Sequence, residues 1–291
     1  MEVDTVVLDI DGVLIDTSAS YHQAIVDSVE TVYGETVALS ETQKFKDAGG
    51  FNNDWRVTEA IALYILYRRE GYAKSIDRLT EEIEQHGGGI DAARETLAKD
   101  FAAEAVRRVE SKWDPDELKR TFQWLYLGPT RYEQFESSPP PETIPPEAGY
   151  IENEPVLITD ETIQWLESTY TLGVVTGRPR AEAEIAIGRV GLNIPDTRMM
   201  TMDDWDSGKP DPAALMQVSE HCKASNVAYA GDELDDVRMA RKAETADPAR
   251  QYYGIGVQSG GVTGEEGRKR FQAVGASAVI DTINQLPSII E

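Results

Sequence analysis

Two carboxylates two positions apart, Asp9 and Asp11, close the run Val6-Val7-Leu8-Asp9-Ile10-Asp11-Gly12-Val13-Leu14. A short run rich in β-branched residues predicts a buried strand, whose period-two alternation turns Asp9 and Asp11 the same way. Gly12 allows a sharp turn away from the sheet. Anions held that close repel unless a cation or a shared proton sits between them, so the pair reads as a site. Three later stretches carry groups of complementary kinds. Val174-Val175-Thr176-Gly177-Arg178 places a hydroxyl and a glycine at the start of a predicted helix, where backbone N–H groups favour an anion. Gly208-Lys209-Pro210-Asp211-Pro212 fixes a lysine between glycine and proline. Gly231-Asp232-Glu233-Leu234-Asp235-Asp236 is an acidic cluster directly after a predicted strand.

The elements that must position these groups follow from periodicity. After the first strand, helices are predicted at 17–33 (capped by Thr17 or Ser18), from Ser40, at 54–69, 75–86 and 91–112 (one helix or two), and from the Asp114 cap to Leu127. No strand interrupts them. Pro139-Pro140-Pro141 and Pro145-Pro146 predict an extended return segment near 138–149. Beyond it strands alternate with helices: strands at 171–175, 199–202, 227–230, 252–257 and 278–280, helices between them. That alternation predicts an α/β fold with a doubly wound parallel sheet. The helical block is too long to be a loop and reads as an inserted all-helical cap. The expected division is a core of residues 1–16 and 150–291, with a cap of residues 17–149.

Composition bounds the function. The 291 residues are 41% hydrophobic, enough for a sizeable core, and no apolar stretch approaches the ~18 residues that span a bilayer. With 28 basic against 52 acidic residues the net charge is −24, which repels nucleic acid and anionic membranes and sets both aside as partners. Such acidity, with few lysines, resembles proteins of salt-rich cytoplasm, where the Debye length falls to ~3 Å near 1 M salt. Cys222 is the single cysteine, so no intramolecular disulfide forms. An acidic residue at position 4 and an apolar run ending at Asp9 argue against a secretory leader, and the expected location is cytoplasmic.

The four motifs in this order, each at a predicted strand end or the loop after it, resemble the signature of the haloacid dehalogenase superfamily. The helical block between the first and second motifs is similar to the subfamily with a helical cap there. The resemblance covers residues 1–16 and roughly 150–291. It implies Asp9 as nucleophile and Asp11 as general acid and base. It implies Mg²⁺ held by Asp9, the backbone carbonyl of Asp11 and Asp232, with Asp236 in support. Thr176, Gly177 and Lys209 would bind the phosphoryl group. Hard Mg²⁺ with oxygen ligands suits the charge of a phosphate ester. Taken singly, Asp11, Asp232 and Thr176 could each be a helix or turn cap, and Lys209 a solvated loop residue.

Within the superfamily that the motifs resemble, an acid two residues past the nucleophile, here Asp11, implies phosphate ester chemistry rather than halide displacement. The expected activity is a phosphatase for a small monoester, with a sugar phosphomutase or a non-catalytic binding protein on the same fold as alternatives. A monomer or a homodimer is expected. In the cap, Lys46, Asn52, Asn53 and Arg56 lie in a glycine-containing stretch that resembles a substrate-specificity loop. Its other reading is a helical corner with Phe51 and Trp55 in the cap core. Arg178 is a further substrate candidate, with an ion pair as its other reading. Gly87-Gly88-Gly89 reads as a flexible helix terminator.

Overall fold

The first strand, β1 (Thr5–Leu8), is buried at all four residues. The computed structural model describes residues 1–51, 53–143 and 146–291, which divide into two compact units. After β1 the chain enters a helical unit, Ser18–Glu154, with α1 (Tyr21–Tyr33), α2 (Leu39–Asp47), α3 (Asp54–Arg69), α4 (Ile76–Gln85), α5 (Gly89–Ala98), α6 (Ala103–Glu110) and α7 (Pro115–Phe135). Pro155–Glu291 joins Met1–Thr17 in the other unit, with α8 (Asp160–Thr169), β2 (Thr171–Val175), α9 (Arg180–Val190) and β3 (Met199–Met200). α10 (Ala213–Cys222), β4 (Asn226–Gly231), α11 (Leu234–Ala246), β5 (Gln251–Val257), α12 (Gly264–Ala273) and β6 (Ala278–Ile280) complete it.

The strands form one parallel sheet in the order β3-β2-β1-β4-β5-β6. Alternation sorts their side chains to two faces. Val6, Leu8, Val174, Ala228 and Ala230 pack with Leu166 of α8 and Ala183, Ala186 and Ile187 of α9. Val7, Val175, Val227 and Tyr229 pack with Leu215 and Val218 of α10 and Met239 and Ala240 of α11. Helices thus cover both faces, which is why the strands read as nearly continuous apolar runs. Each fully buried Val, Leu or Ile contributes roughly 1.5–3 kcal/mol over its exposed state. The chain leaves β1 toward β2 and β3, then returns to β4 on the other side. Leu8 is therefore paired with both Val174 and Ala230, and the switch point of the sheet lies at β1.

Several local expectations differ from what forms. α1 starts at Tyr21 rather than 17: residues 18–20 form a turn, and Ser20, at the N-cap position, gives its hydroxyl to Glu154 at 2.7 Å. Of the two readings of the 91–112 stretch, the two-helix one forms, as α5 and α6. The last helix of the unit continues past Leu127 to Phe135 through a kink at Gly128, whose φ of 73° permits the break before Pro129. Residues 150–154 belong to the helical unit rather than the core: Ile151 is fully buried, and Glu154 accepts from Ser20 and from Tyr126 at 3.0 Å. β3 is two residues long, not four, since residues 202–204 turn as a 3-10 helix closed by Asp204 on Thr201.

Within the helical unit Glu82 gathers cations. It is 4% exposed and accepts from Lys74 at 3.1 Å and Lys99 at 3.0 Å, with Arg78 Nε 3.0 Å away. Lys99 and Lys74 hold its carboxyl down at about 2, from an ordinary 4.5, against the effect of burial. A depressed folded-state pKa contributes stability that is present above 4.5 and lost as pH falls toward about 2. Glu82→Gln should therefore melt about 2–4 °C lower at pH 7, for roughly 1 kcal/mol after solvent screening. The two melting curves should converge as pH falls through that window. A constant gap between them would show that the ion pairs add nothing.

Candidate active site

Asp9 follows β1 and is 3% exposed. Its N–H donates to the Ala230 carbonyl at 2.9 Å, fixing it beside β4. One carboxylate oxygen accepts from the Ile10 N–H at 2.7 Å and the other from Lys209 Nζ at 2.6 Å. Gly12 turns the chain with φ 65°. An added Cβ there would fall 2.1 Å from an Asp232 carboxylate oxygen, so close approach as well as conformation requires glycine.

Lys209 sits between Gly208 and Pro210, its side chain 13% exposed, and reaches a second carboxylate, Asp236, at 2.7 Å. Asp236 lies in the first turn of α11, 1% exposed. It also accepts from the Tyr229 hydroxyl at 2.8 Å and the Glu233 N–H at 3.0 Å. Asp232 follows β4 and accepts from the Gly261 N–H at 2.6 Å. Thr176, fully buried at the end of β2, accepts from the Arg178 N–H at 3.2 Å, while Gly177 is exposed with open space where a Cβ would stand. Arg178 is 1% exposed, and its Nε donates to Asp11 at 2.6 Å. It is thus a buried ion-pair partner of Asp11 rather than a surface one, and the pair ties the first motif to the second.

The electrostatics are short of positive charge. Burial pushes the Asp9 carboxyl up to about 7, with Lys209 pulling it down and Asp236 and Asp11 raising it further. Burial, then Glu233, Asp9 and Asp236, raises Asp232 well above the carboxylate range. Burial opposes the charge on Lys209, yet Asp236 and Asp9 hold it protonated well above the ordinary lysine value. Lys209 pairs with two of these buried carboxylates, Asp9 and Asp236, while Asp232 accepts from the backbone N–H of Gly261. Among the described residues, Asp9, Asp232 and Asp236 each offer an oxygen within 4.8 Å of the others, an arrangement that can hold a metal ion. An all-carboxylate donor set with uncompensated charge fits a hard divalent cation.

A family model for haloacid dehalogenase-like hydrolases matches residues 3–244. The chain belongs to that family. A haloacid dehalogenase-like hydrolase core accounts for the six-stranded parallel sheet. The fold is similar to that of phosphatase Tt82 from Thermococcus thioreducens: TM-score 0.59, 24% identity, covering 84% of this chain and 89% of that one. It is also similar to a predicted phosphoglycolate phosphatase from Haemophilus somnus 129pt: TM-score 0.57, 13% identity, covering 98% and 97%. At these identities the likeness is one of fold. An imidazoleglycerol-phosphate dehydratase from Phytophthora nicotianae is 24% identical over 244 residues, 83% of this chain. The chain spans 42% of the length of that curated relative.

The remaining candidates lie in the helical unit, where the structure gives them local partners. Asn53 caps α3, accepting from the Arg56 N–H at 3.1 Å. Lys46 pairs with Asp54 at 2.7 Å and Arg56 with Glu59 at 2.8 Å, so each cation brings its own counter-charge. Asn52 lies outside the described residues. Phe51 and Trp55 are only partly buried, against the reading that put them in a core, and Lys119 stands 3.8 Å over the Trp55 ring. The glycine run is not a loose terminator: the Gly89 N–H donates to Gly49 at 2.8 Å, and a Cβ at Gly88 would fall 2.3 Å from the Gly49 carbonyl oxygen.

Two contributors escaped the sequence reading. Tyr229 has a signal, since a tyrosine on a strand buried on both faces needs an acceptor for its hydroxyl. Ser259-Gly260-Gly261 has one too: it follows a predicted strand at the same end of the sheet as the other motifs.

Proposed function

We propose that this chain is a Mg²⁺-dependent phosphatase that hydrolyses a small phosphate monoester through an aspartyl-phosphate. The observation that carries the reading is Lys209 bridging Asp9 at 2.6 Å and Asp236 at 2.7 Å inside a buried carboxylate cluster. It leaves a nucleophile beside a fixed cation, with a second acid, Asp11, two residues on.

In this reading a carboxylate oxygen of Asp9 attacks phosphorus in line. The bond from phosphorus to the ester oxygen breaks, and Asp11 gives that oxygen a proton. Water then attacks the phosphorus with Asp11 taking its proton, the bond to Asp9 breaks, and orthophosphate leaves. Thr176 Oγ1, the Gly177 N–H and Lys209 would hold the phosphoryl oxygens as charge shifts among them. Arg178 restrains the Asp11 side chain. Asp9, Asp232 and the Asp11 carbonyl would hold Mg²⁺, with Asp236 beside them. When bound, the ion neutralises charge that otherwise keeps an anionic ester and an anionic nucleophile apart.

The test is a panel of phosphorylated metabolites with Mg²⁺, at low and at molar salt. It should include imidazoleglycerol phosphate, the compound in the name of the dehydratase relative. Orthophosphate release from at least one ester, absent when the metal is chelated, is the expected result. Isomerised ester without free phosphate would replace this reading with a mutase. Binding without turnover across the panel would replace it with a non-catalytic role.

A further inference from the structure

The loop after β5, residues 258–262, touches two of the four motifs at once. The Ser259 hydroxyl donates to the Gly12 carbonyl at 2.7 Å, across 247 residues of sequence. The Gly261 N–H donates to an Asp232 carboxylate oxygen at 2.6 Å, and the Val262 N–H to the Asp232 backbone carbonyl at 3.3 Å. Between these contacts the packing leaves no room for a side chain. A Cβ at Gly260 would fall 2.0 Å from the same Asp232 oxygen and 2.5 Å from the Gly12 Cα. The loop is anchored on its far side as well. Gln258 donates its N–H to Ile280 of β6 at 2.9 Å and its side-chain amide to Gly264 at 2.7 Å.

We infer that this loop is a positioning element for the cation-binding end of the site, with Ser259 as its clamp. The inference rests on the proposed reading that Asp232 helps hold Mg²⁺. Residues that orient a metal's ligands govern its affinity even though they never touch it. Here Gly261 fixes one oxygen of Asp232, and Ser259 ties that loop to the turn that carries Asp9 and Asp11. The β5 loop thereby holds the first and fourth motifs at a set distance. Its glycines are explained by the same geometry: a side chain at 12 or 260 would push Asp232 out of place.

The experiment is Mg²⁺ titration by calorimetry on the whole chain with no phosphate ester present. Ser259→Ala should bind Mg²⁺ about tenfold more weakly than the parent, at the lower end of the 10–100-fold range for ligand-orienting partners. Its melting temperature in EDTA should change little. Ser259→Thr, which keeps the hydroxyl, should bind as the parent does. Gly260→Ala should bind more weakly still; because it can also disturb folding, Ser259 decides the matter. Parent-like affinity in Ser259→Ala overturns the inference, as does equal weakening in the alanine and threonine variants. Asp232→Asn separates the two levels. If it loses Mg²⁺ while Ser259→Ala does not, the loop inference alone falls. If the parent binds no Mg²⁺, the proposed metal site falls and the loop's role falls with it.

Discussion

Asp9→Asn should lower turnover of an activated aryl phosphate by about 10⁴-fold or more and leave no phosphoenzyme to trap, because the amide cannot serve as the attacking anion. Asp11→Asn should behave differently. Loss of a general acid and base costs about 10²–10⁴-fold, but an aryl leaving group needs little protonation. The first step then survives while the second, which needs a base for water, slows. Phosphoenzyme should accumulate in Asp11→Asn and be absent in Asp9→Asn, as read by acid quench and intact-mass measurement. The structure gives the two carboxylates separate surroundings that support separate roles. Asp9 is buried against Lys209, whereas Asp11 pairs with Arg178 and its side chain is 30% exposed. Equal loss of trapped phosphoenzyme in both variants would sink the division of labour.

The second large effect is a proton-linked response to Mg²⁺. Without a cation, burial raises Asp9 to about 7 and Asp232 well above the carboxylate range, so both carboxyls hold on to protons more strongly than ordinary aspartates. A raised folded-state pKa contributes stability that is fully present below the ordinary 3.8 and lost as pH rises through about 7. The metal-free chain should therefore lose this contribution on the alkaline side, where Mg²⁺, which needs ionised carboxylates, binds best. Binding at pH 7 should release protons, seen as a dependence of calorimetric heat on buffer ionisation enthalpy. The melting temperature in Mg²⁺ minus that in EDTA should grow from pH 5 to pH 8. At an Mg²⁺ concentration 100 times the dissociation constant the gain is about 2.7 kcal/mol, or about 5–10 °C for a chain of this size. A difference that is constant, or larger at pH 5, would contradict the buried-carboxylate account.

The core motifs were legible because each rests on local rules. A strand's period of two places Asp9 and Asp11, and an apolar run that stops at a polar cluster marks a strand end. A parallel sheet gathers such ends on one side. The cap candidates were less legible because loop polarity alone does not separate a ligand from a cap. Asn53 serves the first turn of α3, and Lys46 and Arg56 meet carboxylates a few positions away. The boundary between the units lies a few residues beyond the proline-rich stretch. Proline content marks an extended segment, but the boundary was set by Ile151 and Glu154 packing into the helical unit.

The α/β class, the inserted helices and the polar residues that follow β1, β2 and β4 were readable from the chain alone, since all of these follow from periodicity and residue type. The tertiary structure decided which groups meet. Arg178 pairs with Asp11 across 167 positions, Ser259 reaches Gly12 across 247, and Tyr229 joins Lys209 on Asp236. The reason is physical. Local pattern dictates where a strand ends and which way its side chains point, but only the order β3-β2-β1-β4-β5-β6 brings those ends side by side. That order is set by packing helices on both faces of the sheet, a property of the whole core rather than of any one stretch.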